Sequence, residues 1–241
     1  MRGARAPGAS ASAIALIPAA GFGTRFHEEG PKALVLLAGK PLLLHALERL
    51  AASGRITRAV VAVPSDYRDA FAPVFALSPL ACEAVDGGVT RRDSVTNAFL
   101  ASNAADDELL CVHDAARPLV DPIEVAAVID AAATTGAAIA GFSLIETVKK
   151  VQSGKIVETV PRDDLVGATT PQVFRADLLR KAVEKDSKRH VTDDSELVER
   201  AGTRVSVVLT SRWNVKITYP EDLTWAEAYI ARAACEAAAA E

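Results

Sequence analysis

The chain has 241 residues, 50% of them hydrophobic and 24% charged, which supplies a sizeable core and excludes a disordered or fibrous chain. Lys plus Arg number 27 against 31 Asp plus Glu, a formal net charge of −4, and this balance argues against a general nucleic-acid binder. No apolar run approaches the ~18–20 residues that span a bilayer, so no membrane partner is expected. The three cysteines, Cys82, Cys111 and Cys235, lie far apart and suggest neither a disulfide framework nor a zinc site, which fits a cytoplasmic chain.

Residues 1–12 read as a disordered Ala/Gly/Ser-rich tail ahead of a single domain over 13–241. Arg2, Arg5 and Arg25, with no acid in the first 27 residues, raise the question of a targeting peptide. The only apolar stretch there, Ala13–Ile17, is too short for one and suits a strand better. That strand runs into Pro18-Ala19-Ala20-Gly21-Phe22-Gly23-Thr24-Arg25, a turn of small residues whose backbone N–H groups can approach an anion. Phe26 stands where a dinucleotide fingerprint requires a third glycine, and no Gly-Lys-Ser/Thr follows, so neither that motif nor a Walker loop is present. Arg25 and Lys32 flank Gly30-Pro31 and suit a polyphosphate, or are simply two surface charges.

Pro41–Ala52 carries Leu43, Ala46, Leu47 and Leu50 on one helical face and stops near Gly54. Ala59–Val63 reads as a buried strand. After Ala84-Val85, Asp86-Gly87-Gly88 turns the chain and Arg91-Arg92-Asp93-Ser94 opens a helix, with Asp93 or Ser94 as its N-cap and Arg91 available to a ligand. Glu108–His113 is a strand ending in Asp114-Ala115-Ala116-Arg117-Pro118, where open α/β sheets bind ligands. Asp114 is there either a Mg2+ ligand or the partner of Arg117.

Asp121-Pro122 reads as an N-cap and first helical position, with the helix ending before Gly136, and Ala137–Phe142 as another buried strand. Thr147–Val151 and Ile156–Val160 flank Gln152-Ser153-Gly154-Lys155 as a hairpin with a four-residue loop, packing on its own domain or on a second subunit. Thr192-Asp193-Asp194 precedes a helix to Ala201-Gly202. Asn214–Thr218 reads as a strand in which Lys216 needs an anion or water, and Pro220 opens a last helix to about Ala239. His27, His45, His113 and His190 form no metal pair, and no Ser/His/Asp or Cys/His spacing supports a covalent nucleophile. Alternating strands and helices predict an open, mostly parallel α/β sheet.

Taken together, Pro18–Arg25, Pro31-Lys32, Asp86–Gly88, Arg91 with Ser94, His113–Pro118, Thr170-Pro171-Gln172, Thr192-Asp193 and Asn214–Thr218 resemble the 2-C-methyl-D-erythritol 4-phosphate cytidylyltransferase family over about residues 13–230. The resemblance implies a Rossmann-like sheet of nucleotidyltransferase type and a protruding hairpin arm near 143–164 that clasps a second subunit into a homodimer. It implies CTP and a sugar-alcohol phosphate as substrates and Mg2+ as cofactor. By the same analogy Arg25, Lys32 and Lys216 are catalytic, and Asp114 binds the metal. Pro18, Ala19, Ala20, Gly21, Gly88, Ser94, Asp114 and Ala115 line the nucleotide, while Arg117, Thr147, Arg162, Thr170 and Thr192 hold the acceptor. Ribitol 5-phosphate cytidylyltransferases are similar over most of these motifs, and a non-catalytic nucleotide binder is a third reading. Relatives fused to a second enzyme exist, and no such fusion is expected in this sequence. Ala33 and Val89 depart from the family pattern of glutamine after Pro-Lys and aspartate after Gly-Gly, which leaves base recognition near Val89 to backbone groups and Ser94.

Overall fold

The computed structural model describes residues 10–23, 30–185 and 191–238. In chain order its elements are β1 (Ala13–Pro18), β2 (Leu36–Leu37), β3 (Lys40–Pro41), α1 (Leu42–Ala52), β4 (Ile56–Val63), α2 (Arg68–Leu77), β5 (Cys82–Asp86) and α3 (Arg91–Ser102). They continue with β6 (Leu109–Val112), α4 (Pro122–Thr135), β7 (Ala137–Ser143), β8 (Val148–Gln152) and β9 (Lys155–Val160). The remainder are β10 (Val166–Arg175), α5 (Ala176–Lys185), α6 (Asp194–Arg200), β11 (Ser206–Leu209) and α7 (Pro220–Ala238). No helix among the described residues is long and apolar enough to cross a membrane.

A seven-stranded sheet in the order β11-β7-β10-β6-β1-β4-β5 carries the domain. β1 pairs in parallel with β4 on one side and β6 on the other, so the chain reverses its direction of travel across the sheet at β1. β10 is antiparallel to both β6 and β7. The strands are nearly continuous apolar runs because both faces are covered. Along β1, Ala13, Ala15 and Ile17 join the core that holds Leu43, Leu47 and Leu50 of α1 and Val125, Val128 and Ile129 of α4. Ile14 and Leu16 join the opposite core with Val95, Ala98 and Phe99 of α3 and Leu197 and Val198 of α6. A third cluster seats α7: Ala226, with Leu223, Trp225, Tyr229 and Ile230, packs on Leu37, Leu42, Leu119 and Ile217.

Several expectations are corrected. The described chain begins ahead of Ala13: Ala11 is buried and its carbonyl accepts a 3.2 Å hydrogen bond from Arg55. Asn214–Thr218 is not a strand. No strand among the described residues pairs with it in a ladder; instead the Ile217 N–H donates to the Ala116 carbonyl at 2.8 Å and the Asn214 amide to the Thr170 carbonyl at 2.6 Å. Thr90, rather than Asp93 or Ser94, caps α3, in a reciprocal box with Asp93. The hairpin loop has two residues, because Gln152 and Lys155 already pair, and Ser153 and Gly154 turn with φ of 49° and 75° as a tight hairpin turn demands. β8 and β9 form a sheet of their own, with Ile145, Val151, Ile156 and Val157 each more than half exposed.

Candidate active site

β1 and β6 end side by side, and the chain leaves β1 towards β4 on one side, which places a crevice at their carboxyl ends. A cavity of about 230 Å³ occupies that crevice. One wall is Pro18, Ala19, Ala20 and Gly21, continuing to Lys32, whose backbone N–H donates to the Gly21 carbonyl at 3.0 Å. The opposite wall is the Gly88-Val89-Thr90-Arg91 turn with Ser94. Its tight course requires glycine: a Cβ on Gly87 would stand 2.2 Å from the Ala20 Cβ, and one on Gly88 2.1 Å from the Asp93 Cβ. The Ser94 hydroxyl accepts from the Gly88 N–H and donates to the Thr90 carbonyl, both at 3.1 Å, holding the turn against the first turn of α3. Asp114, Ala115 and Ala116 form the floor and Lys216 the far rim.

Asp114 is the only acid on this wall among the described residues, and cations surround it. Arg91 Nε donates to Oδ1 at 2.8 Å, Lys216 Nζ lies 2.9 Å from Oδ2, and Arg117 Nε stands 3.5 Å from Oδ2 as a charge contact. Burial alone would raise this carboxyl, but Arg91, Lys216 and Arg117 outweigh it and hold it well below the usual carboxylate range. Arg91 reaches on through Nη1 to Asp194 Oδ2 at 2.8 Å. The anion that Lys216 needed is therefore Asp114.

Beneath the floor lies a directed chain of hydrogen bonds. The Asp114 N–H donates to Thr170 Oγ1 at 3.1 Å, which leaves the Thr170 O–H to donate to His113 Nδ1, also at 3.1 Å. His113 Nε2–H then meets the Arg117 carbonyl at 3.1 Å, which fixes the neutral Nε2–H tautomer. Burial lowers the His113 imidazole to about 4, with the Arg117 carbonyl opposing. The unfolded chain therefore takes up a proton near pH 6.5 that the folded chain refuses until about pH 4. Over that window the unfolded state binds more protons, so acidification from 6.5 to 4 is expected to cost about 3 kcal/mol. Urea unfolding across this range checks it: His113→Gln should lack this part of the slope, and an unchanged slope would contradict it.

Of the residues singled out by sequence, Pro18, Ala19, Ala20, Gly21, Lys32, Gly88, Ser94, Asp114, Ala115 and Lys216 line this one cavity. Arg25 lies outside the described residues. Thr170 and Arg117 stand behind the floor, with Arg117 Nη1 donating to the Asn214 carbonyl at 2.7 Å. Thr147 is exposed at the start of the hairpin, and Arg162 donates to the Ile145 carbonyl at the hairpin's base. Thr192 is exposed just before α6, its N–H and hydroxyl both on Glu196 Oε2 at 2.7 and 2.8 Å. None of these last three touches the cavity wall. Of the two departures, Ala33 is buried at the back of the cavity, whereas Val89 is fully exposed on its rim. Sequence reasoning left Asp194 and Gln172 unassigned, because only the packing of α6 on β10, where Gln172 holds the start of the helix, brings Asp194 to Arg91.

The family model for 2-C-methyl-D-erythritol 4-phosphate cytidylyltransferase matches residues 13–232. The chain is 40% identical over 232 residues to the protein of that name from Solibacter usitatus, covering 89% of this chain and 94% of the relative. It is 41% identical over 224 residues to the one from Chromobacterium violaceum, covering 90% and 97%. Among solved structures, the 4-diphosphocytidyl-2C-methyl-D-erythritol synthase of Anaerococcus prevotii superposes with a TM-score of 0.79 at 26% identity, over 92% of this chain and 99% of that one. The Thermus thermophilus 2-C-methyl-D-erythritol 4-phosphate cytidylyltransferase gives 0.72 at 32% identity, over 91% and 98%.

Proposed function

The chain belongs to the 2-C-methyl-D-erythritol 4-phosphate cytidylyltransferase family, and from that premise we propose that its cavity holds the phosphates of CTP among Lys32, Arg91 and Lys216, with Arg25 as a further catalytic cation. The chain is a nucleotidyltransferase of isoprenoid precursor synthesis, joining CTP and 2-C-methyl-D-erythritol 4-phosphate into 4-diphosphocytidyl-2-C-methyl-D-erythritol and pyrophosphate. The observation that carries the site assignment is the shared cavity. Lys32, Asp114 and Lys216 face one space at the carboxyl ends of β1 and β6, between two turns of small residues.

The reaction forms a bond between an acceptor phosphate oxygen and the α-phosphorus and breaks the α–β bridging P–O bond, with pyrophosphate leaving. The nucleophile is already ionised at neutral pH, so no general base is needed. What opposes the step is the repulsion of two anions and the charge gathering at the α-phosphorus and leaving group. Fixed cations and backbone N–H groups answer both, by aligning the reactants and neutralising charge. Lys216, on the rim, meets the incoming acceptor and the α-phosphate; Lys32 and Arg25 take the leaving side. The Ala19–Gly21 and Gly88–Ser94 turns hold the nucleoside, with Ser94 as the fixed hydroxyl.

Mg2+ fits this donor set as a partial site. Asp114 offers one carboxylate, two of whose four lone-pair positions take Arg91 and Lys216. No cluster of three acid, His or Cys side chains exists among the described residues, so the remaining oxygens are those of nucleotide phosphates and water. When bound, Mg2+ supplies positive charge to the phosphates.

The exposed apolar hairpin supports a homodimer in which Thr147 and Arg162 of each arm serve the partner's acceptor site, completing a pocket with Thr192. Val157→Asp is expected to shift sedimentation from dimer to monomer and to lower activity with it; an unshifted wild-type monomer would contradict the arrangement. Free Cys82, Cys111 and Cys235 fit the cytoplasm as the site of the reaction. An assay of Mg2+-dependent pyrophosphate release with CTP and each sugar phosphate tests the reading. Turnover with methylerythritol phosphate is expected, and turnover with ribitol 5-phosphate alone would overturn it.

A further inference from the structure

The reaction as described leaves one buried acid without a part. Asp194, the first residue of α6, is 3% exposed, and its only charged hydrogen-bond partner among the described residues is Arg91, at 2.8 Å. Its position is tightly set. Gln172 of β10 accepts from the Asp194 N–H at 3.1 Å and the Ser195 N–H at 3.0 Å and donates to Asp193 Oδ2 at 2.9 Å, clamping the start of α6 to the strand. A carboxylate buried in this way is costly, and an apolar pair of similar volume would stabilise the fold as well. The chain nevertheless spends it on a side chain that lines the cavity.

Arg91 joins the two acids. With Nε on Asp114 Oδ1 and Nη1 on Asp194 Oδ2, both at 2.8 Å, its planar fork is fixed at the wall. These two anchors differ in kind. Asp114 faces the cavity, shares its charge among three cations, and is the group that phosphates would displace or join. Asp194 is shielded from it. We propose that Asp194 is a positioning residue for nucleotide phosphate: it retains Arg91 at the wall while the guanidinium exchanges Asp114 for a phosphate oxygen. Deprived of Asp194, Arg91 has Asp114 as its single anchor, folds onto it and competes with the incoming nucleotide. The inference rests on the reading that this cavity takes CTP.

A double-mutant cycle tests it, with steady-state kinetics and calorimetric CTP binding on Asp194→Asn, Arg91→Met and the double variant. Asp194→Asn is expected to raise the KM and the dissociation constant for CTP about tenfold, by analogy with the loss that follows removal of a partner orienting a metal ligand, with the KM for the acceptor little changed. In the Arg91→Met background it should have almost no further effect, because its only route to the nucleotide is gone. Multiplicative losses, or a rise confined to the acceptor KM, would overturn the proposal and leave Asp194 as a support of α6. If Asp194→Asn does not fold, Arg91→Met/Asp194→Leu, which buries no unpaired charge, is compared with Arg91→Met; equal CTP affinities support the proposal and unequal ones oppose it. A wild-type chain that neither binds nor turns over CTP would overturn the cytidylyltransferase reading and this inference together, whereas multiplicative losses in an active wild type defeat the inference alone.

Discussion

Lys216→Ala is expected to slow turnover by ~10²–10³ while leaving the chain folded, the loss that removal of one preorganised donor to developing charge typically brings. Lys216 sits on an irregular rim segment held from below, with the Asn214 carbonyl taking Arg117, the Asn214 amide on Thr170, and the Ile217 N–H on Ala116. None of those anchors involves the lysine side chain, so the rim should keep its course in the variant. Its 2.9 Å pair with Asp114 is 42% exposed on the lysine side, and such a pair adds at most about 1 kcal/mol to stability. The kinetic loss should fall on kcat, because the charge matters most when the acceptor and the α-phosphate approach. Lys216→Arg keeps the charge but spreads it over a planar fork, and should recover activity only in part. Thermal denaturation together with product formation under saturating CTP separates the cases, and a fully active Lys216→Ala would remove this residue from the proposed machinery.

Sequence reveals the strands that both faces bury. β1, β4, β6 and β7 announce themselves as short apolar runs because each alternate residue enters one of two cores. β10 escaped that test. Pro171 interrupts it, its residues leave the ladder with β7 between Ala168 and Gln172, and it is antiparallel, so no uniform run marks it. That same irregularity matters for the site, since Thr170 there turns to support Asp114 from behind. Asn214–Thr218 misleads in the opposite sense: its β-branched composition suits a strand, but a strand exists only with a ladder, and here the segment is held by single bonds, its Ile217 N–H to the Ala116 carbonyl and its Asn214 side-chain amide to the Thr170 carbonyl. The cavity itself was legible through turns of small residues and isolated cations beside them. Such local patterns survive without knowledge of tertiary contacts. The Arg91–Asp194 bridge was not legible, because it depends on where Gln172 seats α6. The acceptor side was legible only by resemblance; in one chain Thr147, Arg162 and Thr192 stay off the cavity wall.

Asp114→Asn carries the other large effect, and it separates a structural duty from a catalytic one. In the folded chain this carboxylate balances Arg91, Lys216 and the largely buried Arg117. Its loss leaves Arg91 with Asp194, but leaves Arg117, among the described residues, with the neutral Asn214 carbonyl and no acid, an uncompensated charge in a poorly hydrated position. Breaking such a pair by removing one member typically costs about 3–5 kcal/mol, so a clear fall in urea stability at pH 7 is expected. The acid limb should change too. Asp114 is held below its ordinary value, so its contribution is present above the unfolded value near 3.8 and disappears as pH falls through the lower folded one. Wild type therefore loses stability in two stages on acidification, the first from His113 between about 6.5 and 4 and the second below it from Asp114. Asp114→Asn should keep the first stage and lose the second. On the catalytic side, CTP affinity in the variant should no longer increase when Mg2+ is added, which calorimetry with and without the metal reads directly. A variant that is destabilised but still gains affinity from Mg2+ would confine Asp114 to balancing its three cations and take the metal elsewhere.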